Sequence, residues 1–127
     1  MYAYLVAEQF TIRQVAEQTG ISLHTLRYYE RIGLIESVRR ADNNHRRYRQ
    51  EDIVWLEFLK RLRATGMPTS DMKTFAALRR EGAASLLQRR QMLEVHHKDV
   101  EAKIALLEEN LEAIQSKIER LVNQENL

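Results

Sequence analysis

Apolar residues recur every seven positions through the last third of the chain: Leu86, Leu93, Val100, Leu107, Ile114 and Leu121. Ile104, Leu111 and Ile118 fill the intervening register, and Arg90 and His97 interrupt it near the start. A heptad repeat of this kind predicts a helix with one narrow apolar seam. Neither Gly nor Pro breaks the segment from Ser85 to about Val122, and Ser85-Leu86-Leu87-Gln88 has the form of a capping box at its start. At ~1.5 Å per residue the helix spans roughly 55 Å. So long a helix in so small a protein cannot bury its own stripe. It predicts pairing with the same helix of a second chain, with Leu93, Val100, Ile104, Leu107, Leu111, Ile114, Ile118 and Leu121 as the dimerisation residues.

Shorter periodic segments precede it. Thr11-Ile12-Arg13-Gln14 reads as a capping box, with Ile12, Val15 and Ala16 as the inward stripe and Thr19-Gly20 as the stop. Ser22 is a good N-cap for a second helix in which Leu26, Tyr29 and Glu30 share one side. Helix, Gly-containing turn and helix together match a helix-turn-helix. Gln50–Thr65 predicts a third helix with Ile53, Leu56, Leu59 and Leu62 inward, widened by Val54, Trp55 and Phe58. Its acidic start and basic end complement the helix dipole. After Met67-Pro68, Thr69 or Ser70 caps a short helix to about Glu81, with Met72, Phe75, Ala76 and Leu78 inward and Gly82 as its end. The expected organisation is mainly all-α: a winged helix-turn-helix domain over residues 1–82 and a long coiled-coil dimerisation helix over 83–127.

Composition adds limits. The 127 residues carry a net charge of only +2, so overall charge says little. Its distribution says more: Arg39, Arg40, Arg46, Arg47 and Arg49 face Asp42 alone between residues 39 and 49. Such a local cluster suits phosphate, although a solvated loop is the commoner fate of charge clusters. Val38 and Tyr48 can flank two short antiparallel strands, with Asp42-Asn43-Asn44 as the tip of a wing. No cysteine is present, which excludes disulfides and thiolate metal sites. No signal peptide or membrane span is read, so the default location is the cytoplasm. No paired carboxylates in a pocket-like context, nucleophile motif, metal set or Gly-rich phosphate loop points to an enzyme.

The candidate chemistry lies in Ile21–Arg31. Arg donates a planar fork to phosphate or guanine, and a Tyr hydroxyl can bond a phosphate oxygen. The expected DNA contacts on this helix are Ser22, His24, Thr25, Arg27, Tyr28 and Tyr29, with Tyr29 equally readable as a core aromatic. In the wing they are Arg40, Arg46 and Arg47, and Arg63 offers a further phosphate contact.

These residues carry a resemblance. The run Phe10–Ala16, then Gly20-Ile21-Ser22, Thr25-Leu26-Arg27-Tyr28-Tyr29-Glu30, Gly33-Leu34-Ile35, Arg46, Tyr48, Asp52-Ile53, Leu56, Leu62 and Gly66-Met67 resembles the MerR family of bacterial transcription regulators. The resemblance implies a winged helix-turn-helix, with His45 and Tyr48 joining Arg40 and Arg46 as wing contacts to DNA, and a homodimer held by an antiparallel coiled coil. It also implies sequence-specific binding to promoter DNA whose −35 and −10 elements lie too far apart. Bending and undertwisting of that duplex would realign the elements for RNA polymerase, so that deformation energy acts as the switch. Two positions depart from the family pattern: Glu36-Ser37 stands where a Pro is usual, and Asn44-His45 where Gly-Tyr is usual. Thiol-based metal sensing is excluded by the missing cysteines, and the chain ends at the coiled coil, where multidrug sensors append a further domain. His96 and His97 point about 100° apart on a helix and cannot chelate one ion as a pair. With Asp99, Glu101 or a residue of a second chain they could contribute to a zinc- or nickel-type site, but His97 falls in the apolar seam, where a packed His is commoner than a ligand, so no metal or cofactor is expected. The competing reading is a DNA-architectural or excisionase-like protein without effector switching, against which the long helix argues.

Overall fold

The computed structural model describes residues 9–36 and 48–127. In chain order the elements are strand β1 (Gln9–Phe10), helices α1 (Ile12–Thr19) and α2 (Leu23–Arg31), strand β2 (Tyr48–Arg49), and helices α3 (Gln50–Ala64), α4 (Thr69–Arg80) and α5 (Leu86–Glu125). A short 3₁₀ turn, Gly82–Ser85, joins α4 to α5. Two compact units result, one ending at Arg89 and the other spanning Arg90–Leu127.

Local chemistry explains each boundary. Thr11 and Gln14 bond reciprocally: the Gln14 N–H donates to Thr11 Oγ1 at 3.2 Å, and the Thr11 N–H to Gln14 Oε1 at 2.8 Å. Gly20 closes α1 in the left-handed conformation, φ 74°, which a side chain would strain. Ser22 caps α2 by accepting from the Thr25 N–H at 3.1 Å. At α3 the Arg49 N–H donates to Asp52 Oδ2 at 2.8 Å. Two expected caps are not as read. Pro68, not Thr69 or Ser70, occupies the N-cap position of α4, and Thr69 is already helical. Ser85 does not form a capping box. Its hydroxyl points back to the carbonyls of Leu78 and Gly82 and accepts from Arg89 Nε at 2.9 Å. These bonds tie the first turn of α5 to the end of α4. They lie within the first unit, which runs to Arg89.

One core gathers α1 to α4 and the two-stranded ribbon. Val15, Leu26, Leu34, Ile53, Leu56, Leu59, Leu62, Met72, Phe75 and Ala76 are all buried. Full burial of one such large side chain is worth about 1.5–3 kcal/mol. Trp55 fills the middle. Its ring stacks on Phe75 at 5.8 Å between centroids and its Nε1 donates to the Leu34 carbonyl at 2.8 Å. The Arg79 guanidinium lies over the ring, 4.6 Å from its centroid. Tyr48 is fully buried, and its strand pairs antiparallel with β1, Phe10 opposite Tyr48 and Gln9 opposite Arg49. The partner of Tyr48 among the described residues is therefore the strand before α1. The expected pairing with Val38 falls outside the described residues.

The helix α5 is 40 residues long, about 60 Å, and none of its residues is buried. Among the described residues, no helix is long and apolar enough to cross a membrane.

Candidate nucleic-acid interface

Two helices and a turn form the candidate reading head, and three side chains from α3 and one from α4 hold it. Leu26 and Tyr29 face the core, at 0% and 3% exposure. At the end of α1 the buried Thr19 donates to the Val15 carbonyl at 2.7 Å and accepts from the Ile21 N–H at 3.2 Å. Lys60 Nζ donates to the Thr19 carbonyl. Arg63 Nη1 donates to the Tyr29 hydroxyl at 3.0 Å. After α2, Trp55 holds the Leu34 carbonyl and Arg80 the Gly33 carbonyl, with Arg80 Nε also 3.5 Å from Glu36 Oε1. Main-chain carbonyls at helix ends have no intrahelical partner. Donors from the scaffold satisfy them here and fix where α2 lies.

The outward side of α2 faces solvent. His24, Arg27 and Arg31 are exposed and Thr25 is half-buried. Tyr28 is 41% exposed, and the Arg31 guanidinium sits 5.7 Å from its ring centroid. The Ser22 hydroxyl donates to Thr25 Oγ1 at 3.0 Å, which presets the Thr25 rotamer. His24, Thr25, Tyr28 and Tyr29 share a cleft of about 340 Å³ with Arg63, Thr69 and Met72. Imidazole, hydroxyls and a guanidinium around one open cleft form a donor-rich surface suited to phosphate oxygens and groove edges.

Two of the residues read from the sequence as contacts are not on that surface. Tyr29 and Tyr48 are both buried, Tyr48 at 0% exposure. Arg63 holds the Tyr29 hydroxyl, and Tyr48 lies in β2. Ser22 is exposed but acts as the helix cap. Arg63 serves Tyr29 while remaining exposed at the cleft. Arg40, His45, Arg46 and Arg47 lie outside the described residues. Sequence reasoning missed Lys60 and Arg80, whose partners are carbonyls, and Thr69, which Pro68 delivers to the cleft.

Comparison with known proteins settles the family. The model of the MerR helix-turn-helix regulatory family matches residues 10–78, more than half of the chain, and a MerR DNA-binding model matches residues 53–117. The chain belongs to the MerR family. This MerR-family chain is 35% identical over 109 residues to an uncharacterised helix-turn-helix transcriptional regulator of Haemophilus influenzae, covering 86% of this chain and 81% of that one. It is 43% identical over 82 residues to the Bacillus subtilis regulator AdhR, covering 65% of this chain and 59% of AdhR. A crystal structure of HiNmlR, a MerR-family regulator lacking the sensor domain, bound to promoter DNA, matches with a TM-score of 0.80 at 34% identity, over 87% of this chain and 88% of that one. A putative MerR-family regulator from Listeria monocytogenes matches with a TM-score of 0.81 at 32% identity, over 86% and 83% of the two chains. Membership makes this a DNA-binding transcription regulator and not an enzyme.

Arg27→Ala is expected to weaken binding to all duplexes alike and to reduce the slope of log affinity against log salt by about one unit. Titration of a labelled duplex at several salt concentrations checks this. A loss confined to one sequence would make Arg27 a base reader instead.

Proposed function

We propose that this MerR-family regulator acts as a homodimer on promoter DNA and controls transcription by bending and undertwisting a promoter with an overlong spacer, so that RNA polymerase can engage both elements. The observation that carries the reading is the apolar stripe of α5. Ile104, Leu107, Leu111, Ile114, Ile118 and Leu121 are 47–67% exposed in the chain and follow one another at heptad spacing. An apolar seam of that length left in water is unfavourable, and an identical seam on a second copy removes it.

A dimer of this kind presents two copies of α2 to one duplex. The separation of the copies then constrains the DNA between them, and a duplex that must be deformed to meet both stores energy that depends on its length and sequence. The promoter-DNA complex of HiNmlR, at 34% identity, supports promoter DNA as the ligand. No group of three or more His, Cys, Asp or Glu residues suited to a metal ion occurs among the described residues, and His97 Nδ1 instead lies 2.9 Å from Glu101 Oε1.

Transcription in vitro tests the proposal. On the promoter beside its own gene, the protein should change the yield of transcript from RNA polymerase. Removing base pairs until the spacer has ordinary length should abolish that dependence while leaving binding intact. Equal regulation on both spacers would contradict the deformation mechanism, and binding without any effect on transcription would favour an architectural role.

A further inference from the structure

The cations that support α2 are committed within the fold: Lys60 to the Thr19 carbonyl, Arg63 to the Tyr29 hydroxyl and Arg80 to the Gly33 carbonyl. Arg31 is placed differently. It is the last residue of α2 and is exposed. Its guanidinium lies 5.7 Å from the centroid of the Tyr28 ring, itself a 41% exposed side chain. An arginine resting on a surface aromatic keeps its donors turned to the outside while losing much of its rotamer freedom.

Helical geometry shows where this pair stands. Successive residues are about 100° apart, so with Arg27 at zero, Arg31 lies at about 40°, His24 at about 60° and Tyr28 at about 100°. The buried Leu26 and Tyr29 lie at about 260° and 200° on the same scale, which sets the middle of the outward face near 50°. Arg31 and His24 therefore share the centre line of that face, and Arg27 and Tyr28 flank it by about 50° on either side. A helix lying in the ~12 Å major groove turns its centre line to the base edges and its flanks to the walls, where the phosphates are.

We infer that Arg31 reads a guanine, with the Tyr28 ring holding its guanidinium in position; the inference rests on duplex DNA being the ligand of α2. The planar fork of arginine donates two parallel hydrogen bonds to the O6 and N7 acceptors that guanine presents in the major groove. A phosphate fits this position less well. The C-terminal end of a helix carries the negative end of its dipole, which disfavours an anion and leaves a neutral base edge nearly unaffected. A cation in the last turn also complements that dipole, but charge alone does this, and lysine supplies charge equally. Only the fork distinguishes the two residues, so Arg31→Lys separates the roles.

Selection of binding sites from a pool of random duplexes by the full-length protein tests the inference. The unaltered protein should enrich guanine at one position of its site, or at the equivalent position of each half-site. Arg31→Lys and Arg31→Ala should lose the preference at that position, by roughly tenfold to a hundredfold against the other bases, and keep it elsewhere. Replacing that guanine by 7-deazaguanine, which lacks the N7 acceptor, should weaken binding of the unaltered protein about tenfold and leave Arg31→Ala unaffected. Tyr28→Phe should retain the preference, and Tyr28→Ala should reduce it roughly two- to fivefold at that same position. An unchanged preference in Arg31→Lys and Arg31→Ala would overturn the inference while leaving DNA as the ligand. So would an equal loss on all duplexes with a salt slope about one unit smaller, which puts Arg31 on a phosphate. An unchanged preference in Tyr28→Ala would overturn the positioning role of the ring. Failure of the unaltered protein to enrich any sequence would contradict sequence-specific DNA binding itself, and the reading of guanine with it.

Discussion

Leu107→Asp is expected to separate the two chains while leaving each folded. Leu107 is 67% exposed in the single chain, so a carboxylate there costs the isolated helix little. In the paired seam the same carboxylate is held against apolar side chains, and it occurs twice per dimer. An unpaired buried charge costs several kcal/mol. A loss of about 4 kcal/mol corresponds to roughly a thousandfold rise in the dimer dissociation constant. Sedimentation equilibrium across a range of concentrations reads this, and circular dichroism checks that the helix content survives. A dimer of unchanged affinity would remove Leu107 from the interface. DNA affinity should fall with the dimer, because a monomer brings one copy of α2 to the duplex.

Trp55→Ala should have the largest effect on the first unit. The ring is 5% exposed, stacks on Phe75, lies beneath Arg79 and donates to the Leu34 carbonyl. Truncation of so large a buried aromatic costs about 3–5 kcal/mol, a large fraction of what a small domain has. Urea unfolding should show a lower midpoint with an unchanged slope. Trp55→Phe separates the two roles. It keeps much of the ring packing but strips the Leu34 carbonyl of its donor, at a cost of about 1–3 kcal/mol. DNA binding by Trp55→Ala should fall because the head unfolds, and low temperature or high protein stability conditions should restore it. A midpoint within error of the unaltered protein would show that α3 does not depend on this residue.

The parts of the fold legible in the sequence are those with local causes. Thr11 with Gln14, Ser22 with Thr25, and Gly20 at the end of α1 announce themselves within four residues, and each forms as read. The inward stripe Ile53, Leu56, Leu59 and Leu62 is likewise buried throughout, because a 3.6-residue period has only one way to face a core. Polar and amphipathic residues were harder. Tyr29 and Tyr48 carry a polar tip on an apolar body, and composition alone cannot say which part faces inward. Arg63 decides it for Tyr29, and that partner is 34 residues away. Lys60 and Arg80 read as ordinary surface cations because their acceptors are carbonyls, which leave no mark on a sequence. Ser85 departs from the capping role its spacing suggests for the same reason: its hydroxyl satisfies carbonyls behind it instead of amides ahead.

On the interface side, the exposed His24, Arg27 and Tyr28 stand where the helical period put them. The cleft that links them to Arg63 and Thr69 needed the third dimension. It arises because Pro68 starts α4 beside the end of α3, which brings Thr69 and Met72 near α2. The exposed face of α2 is thus narrower than the pattern suggests, and its support comes largely from α3 and α4.

The central claim is that two chains act together on one duplex. Sedimentation equilibrium of the full-length protein with a labelled duplex from the DNA beside its own gene tests it most directly. The mass of the complex at saturation should equal one duplex plus two chains, and its affinity should fall steeply with salt. A saturated complex with one chain per duplex, or an affinity indifferent to salt, would contradict the account.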